Sequence, residues 1–177
     1  LMFEYQLNEM ARREKRRIVL PESGDDRILE SASIVLRRGS ADIVLLGDPN
    51  TVKLQASGLG LSLEGAEIVS MDDPELVKRF ATKYAELRAA KGVTYEQAVA
   101  KMKDPSYFGT MMVYLGLADG MVSGAINTTA NTIRPSLEFV KTKPGVKVVA
   151  VEPAESPILS GGQPGGAIGG FMPLIEA

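Results

Sequence analysis

Apolar positions along the chain switch between two periods: short β-branched runs alternate with stretches in which apolar residues recur every three or four positions. The first run, RIVLP over 17–21, is stopped by proline and predicts a buried strand. In the following DDRILESASIVLRRG, Ile28, Ala32, Val35 and Leu36 share one helical face. Asp25 and Asp26 fall in the first turn, Arg37 and Arg38 in the last, and Gly39 stands where a C-cap glycine belongs. ADIVLLGD (41–48) predicts a second strand, Asn50 to Ser57 a weaker helix, and AEIVSM (66–71) a third strand. DDPELVKRFATKYAELRAAKG predicts a long amphipathic helix with Pro74 in its first turn and Gly92 at its end. Thr94 and Gln97 have capping-box spacing for TYEQAVAKMK. Pro105 opens SYFGTMMVYLGL, where methionines and aromatics mark a packing helix and the Met111-Met112 pair reads as core filling. A fourth strand is expected in DGMVSGA (119–125), a helix in RPSLEFVKTKPG ending at Pro144-Gly145, and a fifth strand in VKVVAVEP (146–153).

Strands alternating with helices imply an α/β fold: a three-layer α/β/α domain over 1–153 around a mainly parallel sheet, with right-handed crossovers. Residues 154–177 are rich in glycine and proline and predict an irregular tail. The composition, 45% hydrophobic and 24% charged over 177 residues, is that of a globular domain. A net charge of −2 lacks the basic footprint of a nucleic-acid surface, so no nucleic-acid partner is expected. No apolar run approaches the about 20 residues that cross a bilayer. The N-terminal LMFEYQLNEMARREKRR is amphipathic and lacks the apolar core of a secretory signal, so the expected location is cytoplasmic. The chain has no cysteine and no histidine. Disulfides and thiolate nucleophiles are thereby excluded, the commonest general base and the usual zinc ligand are missing, and no metal site is expected. Chemistry falls to Arg, Lys, Asp, Glu, Ser, Thr or Tyr.

One stretch concentrates such groups. SGAINTTANTIRPS (123–136) sets Ser123, Asn127, Thr128, Thr129, Asn131 and Thr132 between an apolar strand and the pair Arg134-Pro135. In an open parallel sheet, ligands sit beyond the carboxyl ends of the strands, where loops lead into helices. The helix here is expected to begin near Thr132 to Pro135, its free N–H groups pointing outward with partial positive charge. Arg134 adds a fixed cation whose planar fork suits phosphate or carboxylate. The stretch is no Walker loop, and no GxGxxG follows the first strand. Two readings stand: an oxyanion cradle, or a capped helix start with Arg134 in a surface ion pair. Asp25, Asp26 and Arg27 read as helix capping with a local ion pair, and Lys141 and Lys143 as partners of a helix dipole.

Several ordered blocks, namely RIVLPESGDDRILESASIVLRRGSADIVLLGDP, YAELRAAKGVTYEQA, SYFGTMMVYLGLADGMVSGA and NTTANTIRPSLEFVKTKPG, resemble the phosphate acetyltransferase (phosphotransacetylase) family from about Phe3 to Val146. The related phosphate butyryltransferases share this architecture and remain an alternative. The resemblance implies an acyltransferase that converts acetyl-CoA and phosphate into acetyl phosphate and CoA. Coenzyme A would be a substrate, no resident cofactor is implied, and the family's habit of pairing implies a homodimer. The arginine of the family's LR-x-x-KG block falls on Arg88 and that of its T-x-RP block on Arg134, which implies an anionic site holding phosphate or acetyl phosphate. Thr128 and Thr129 match small hydroxyl residues of the same loop, Thr132 lies in the matched block, and Ser123 and Gly124 match the strand-end SGA. Many members carry histidine where Asn127 stands, so position 127 is left as a neutral donor.

Beyond KTKPGV the likeness stops, and a second α/β domain carrying the family's serine-arginine pair and its thiol-activating aspartate is expected to be missing. Very weak or no turnover is therefore expected. Residues 147–173 resemble instead a short piece of cysteine synthase, without that enzyme's Schiff-base lysine motif, so pyridoxal phosphate is not expected. Leu1 before Met2 suggests an excerpt of a longer sequence. A non-catalytic α/β interaction module remains the alternative from a different functional class.

Overall fold

The computed structural model describes residues 2–140, 144–145, 147–151 and 172–176. In chain order its elements are α1 (Met2–Arg13), β1 (Arg16–Leu20), α2 (Asp26–Arg38), β2 (Ala41–Leu46), α3 (Pro49–Gly58), β3 (Glu67–Val69) and α4 (Pro74–Leu87). A 3-10 turn (Ala89–Lys91) leads to α5 (Tyr95–Lys101), α6 (Pro105–Tyr114), β4 (Gly120–Val122), α7 (Thr129–Glu138), β5 (Lys147–Val151) and β6 (Met172–Glu176). The helices start where the sequence supplies caps. The side chains of Asp48, Asp73 and Asp104 each accept an amide of the first turn, and each precedes a proline at the first helical position. Thr94 and Gln97 close the expected capping box of α5. Gly39 ends α2 in the left-handed conformation at φ 67°.

The strands form one sheet in the order β3-β2-β1-β4-β6-β5. The first four run parallel, with Ile18 beside Ile43 and Gly120, and Val44 beside Glu67. Because both faces of this sheet are covered, neighbouring strand residues feed opposite cores. Ile43 and Leu45 pack with Leu29 and Ala32 of α2, while Val44 and Leu46 pack with Phe80, Phe108 and Met111 of the helices on the other face. The three-layer arrangement expected from the alternation of periods is the one formed.

Several boundaries differ from the sequence reading. The long helix expected to reach Gly92 stops at Leu87 and tightens into the 3-10 turn that Gly92 closes at φ 71°. The helix expected to end at Pro144-Gly145 ends at Glu138. Phe139 and Val140 leave the helix to become core residues, and Phe139 sets its ring edge-on to Tyr84 at 5.7 Å. The irregular tail is corrected at Met172–Glu176, which pairs antiparallel with both β4 and β5. Its ladder to β4 covers Leu174 to Glu176 only, so Pro173, which has no N–H, needs a partner on one side alone. The rest of the tail, with Lys141 and Lys143, lies outside the described residues.

Gly109 fixes how closely α6 lies on the sheet. A Cβ there would stand 2.6 Å from Met121 Sδ and 3.2 Å from Val19 Cγ1, both on fully buried side chains. Gly109→Ala is therefore expected to destabilise the fold by about 1–3 kcal/mol despite alanine's better helix propensity. Urea denaturation would show a lowered midpoint at unchanged slope, and a stabilised variant would mean that α6 is free to shift.

Candidate functional site

The carboxyl ends of the parallel strands meet through their loops. Ser23, after β1, donates its hydroxyl to Leu46 O at the end of β2, and Gly47 N donates to Val69 O of β3 at 3.0 Å. Gln55 of α3 reaches back to Gly24 O and to Asp26 at 3.0 and 2.8 Å. The loop after β4 joins this edge chiefly through the side chain of Glu22.

Glu22 is buried, and its carboxylate accepts four consecutive backbone amides: Gly124 at 3.0 Å, Ala125 at 2.8 Å, Ile126 at 2.9 Å and Asn127 at 2.8 Å. The Asn127 side-chain amide adds a fifth bond at 3.0 Å. Successive amides converging on one acceptor form an anion-binding nest. Gly124 makes the turn possible, since its φ of 123° is closed to residues with a side chain. From the other side, Arg27 donates to Ala125 O at 2.9 Å while paired with Asp25 at 2.6 Å, which is the local ion pair expected from sequence. Burial raises the Glu22 pKa, but the four amides together outweigh it and hold the group below its ordinary 4.5.

A pH dependence follows. A carboxylate with a depressed folded-state pKa contributes stability that is complete above the unfolded value and fades as pH falls through the folded one. Asp25 and Asp48 are lowered in the same direction, Asp25 chiefly by the Arg27 side chain and Asp48 by the Thr51 amide. The denaturation midpoint should therefore hold between pH 7 and about 5 and fall below about 4.5. Glu22→Gln should flatten that acid slope, and an equally steep slope in the variant would assign it to other carboxylates.

The residues singled out in SGAINTTANTIRPS divide into two groups. Gly124 and Asn127 line the nest. Thr128 is the N-cap of α7 and accepts Asn131 N at 3.3 Å, and Thr129 is the first helical residue. Thr132 is buried and donates to Thr128 O at 3.0 Å. The helix thus begins before the expected Thr132–Pro135, because the Thr128 cap outweighs the cost of Pro135 inside a short helix. The Ser123 hydroxyl is buried without a hydrogen-bond partner among the described residues. Among the described residues no acceptor receives the amides of Thr129 and Ala130, the ordinary state of a first helical turn.

Arg134 is on α7 and Arg88 contacts its last residue, and neither bonds to the nest. Arg88, the C-cap of α4, is half-buried and donates Nη1 to Glu138 O at 3.2 Å, while its Nε is buried without a partner among the described residues. Arg134 is exposed and forms no hydrogen bond or ion pair with the described residues, so the surface ion pair of the capped-helix reading is not formed among them. Its charge is felt at the Tyr107 hydroxyl. Four residues on, Glu138 accepts hydroxyl bonds from Tyr84 at 2.8 Å and Tyr107 at 3.0 Å. Burial, reinforced by Glu138, pushes both phenols well above the ordinary range. Tyr84, Tyr107 and Arg88 thus meet at Glu138, which ties α4 and α6 to α7.

Sequence reasoning missed Glu22, Glu138, Tyr84 and Tyr107. Glu22 carried one readable signal, an acid placed directly after a strand's carboxyl end, where loops of a parallel sheet converge. The tyrosines sit on apolar helical faces and read as core.

The family model for phosphate acetyl/butaryl transferase matches residues 2–155. The chain is 54% identical over 149 residues to the phosphate acetyltransferase of Nitratidesulfovibrio vulgaris, and 52% identical over 149 residues to that of Corynebacterium glutamicum. Each match covers 84% of this chain but only 21% and 45% of the respective relative. Among solved structures, a phosphotransacetylase from Streptococcus pyogenes superposes with a TM-score of 0.77 at 32% identity, covering 90% of this chain and 48% of that one. The EutD phosphotransacetylase from Staphylococcus aureus gives a TM-score of 0.71 at 35% identity, covering 84% and 46%. The chain thus spans less than half the length of these relatives.

Proposed function

The chain belongs to the phosphate acetyl/butaryl transferase family, and on that footing we propose that it carries the phosphate half-site of an acyltransferase joining acetyl-CoA and phosphate to give acetyl phosphate and CoA. The observation that carries this reading is the exposed guanidinium of Arg134, which pairs with none of the described residues, on a helix capped by Thr128. Arg134 takes the tetrahedral anion, with donors from the Thr128–Thr129 turn, and Arg88 assists from the far side of Glu138. Ser123, Gly124, Asn127 and Thr132 shape the turn. A phosphate oxygen attacks the thioester carbon, negative charge gathers on the carbonyl oxygen, and the CoA thiolate leaves. Fixed cations and preorganised donors stabilise that charge without a covalent intermediate. The acetyl group rather than butyryl is favoured by the names of the relatives.

The same reading makes acetyl-CoA, CoA, phosphate and acetyl phosphate the ligands, needs no resident cofactor, and takes the protein to be cytoplasmic and a homodimer. Among the described residues no helix is long and apolar enough to cross a membrane. The family match runs on to residue 155, and the resemblance of residues 147–173 to cysteine synthase adds no pyridoxal phosphate chemistry to this reading. A second reading, a non-catalytic interaction module, draws on α1, which exposes Met2, Phe3, Tyr5 and Met10.

Two measurements test the half-site. Millimolar phosphate or acetyl phosphate should raise the melting temperature, because a ligand of the folded state stabilises by mass action. Arg134→Ala should weaken that protection by about ten- to a hundredfold in ligand concentration, the worth of a charge-assisted hydrogen bond. A melting curve that phosphate leaves unmoved would end the proposal. A coupled assay with acetyl phosphate and CoA reads turnover separately, and the expected rate is very low.

A further inference from the structure

We infer that Glu22 is a positioning residue for this phosphate half-site: its carboxylate locks the 124–127 backbone so that the Thr128–Thr129 turn and Arg134 are set for the anion. The inference rests on the half-site reading and adds to it a residue that touches no substrate.

The geometry favours a lock over a place-holder for phosphate. A carboxylate offers about four lone-pair sites, and five N–H bonds already converge on Glu22. The group is 5% exposed, so an incoming anion would have to expel a buried charge before touching any of those amides. The loop is held on its carbonyl side as well, where Arg27 donates to Ala125 O. Asn127, the last residue bound to Glu22, directly precedes the Thr128 cap, whose extended backbone (φ −64°, ψ 154°) sets where α7 begins. The helix start and Arg134 therefore inherit their position from a side chain about a hundred residues earlier in sequence.

The test uses the full chain with inorganic phosphate as the probe, read by thermal shift, together with amide hydrogen exchange at residues 124–127. Glu22→Gln keeps shape but puts an NH2 group against amides that need an acceptor. It should speed exchange at 124–127 and weaken phosphate binding at least tenfold. Arg134→Ala should weaken phosphate equally while leaving exchange at 124–127 unchanged, a separation that general loss of structure cannot mimic. Unchanged phosphate affinity in Glu22→Gln, despite faster exchange, overturns the inference and leaves the half-site standing. Tighter phosphate binding also overturns it, because Glu22 would then be competing for the nest. No phosphate binding by the unaltered chain removes both the half-site and this inference. Should Glu22→Gln fail to fold, Glu22→Asp, which keeps the charge on a shorter stem, decides: intermediate weakening supports the lock and unchanged affinity refutes it.

Discussion

Shortening Phe108 to alanine is expected to cost about 3–5 kcal/mol of folding free energy, read from urea or thermal denaturation. Phe108 is fully buried between the sheet and the outer helices and meets Phe80 edge-on at 4.8 Å. The cost depends on how far the surroundings can close over the lost ring, and here they have little freedom. Gly109 already brings α6 against Met121 and Val19, so the helix cannot sink further to fill the cavity. Domains of this size carry about 5–15 kcal/mol in total, and the variant would stand near the edge of folding. Leu137→Ala on the exposed face of α7 serves as the control and should change stability by less than about 0.5 kcal/mol. A Phe108 variant within about 1 kcal/mol of the parent would mean that α6 does not organise this core.

The α6 helix also shows why so much of the fold was legible. Its aromatics and methionines read as a packing helix before any coordinates, and eight of its ten residues are buried. Local chemistry marked the helix starts, where Asp-Pro pairs and the Thr94–Gln97 box each report on their own turn. What failed was decided at long range. Nothing within RPSLEFVKTKPG signals that Phe139 abandons its helix, because the reason is a pocket made by Tyr84 and Tyr114. Met172–Glu176 is too short to announce a strand, and its pairing with β4 joins residues about fifty positions apart.

The candidate site divides along the same line. Gly124 was legible because a strand-end glycine beside a polar loop invites close backbone approach, whereas Arg88 and Arg134 were singled out only through the family motifs that surround them. Glu22 was missed, since its place after a strand end hints only at the convergent loops while its meaning lies in amides at 124–127, about a hundred residues away. The Thr-rich turn also read too simply. Thr128 and Thr132 spend their hydroxyls inside the helix start, so the donors that looked free in sequence are partly committed to holding α7.

Glu138→Ala is expected to destabilise the protein by about 2–5 kcal/mol, because it leaves two phenolic hydroxyls without their acceptor, each at about 1–3 kcal/mol. Tyr84 and Tyr107 are buried, stand edge-on with ring centroids 5.8 Å apart, and share this one carboxylate. The arrangement makes a sharp prediction about non-additivity. Tyr84→Phe and Tyr107→Phe each remove a donor whose loss leaves no orphan, so each should cost only about 0.5–1.5 kcal/mol. Introduced together into Glu138→Ala, they should recover much of the lost stability, since an apolar cluster then replaces a half-satisfied polar one. Failure of that rescue in chemical denaturation would show that Glu138 acts through something other than the two hydroxyls. The Arg88 contact should survive throughout, because Arg88 Nη1 is bound to the Glu138 backbone oxygen and not to its side chain. Glu138→Gln removes a negative charge one helical turn from Arg134. It is therefore expected to bind phosphate severalfold more tightly even as it loses stability, a divergence that a purely structural role for Glu138 would not produce.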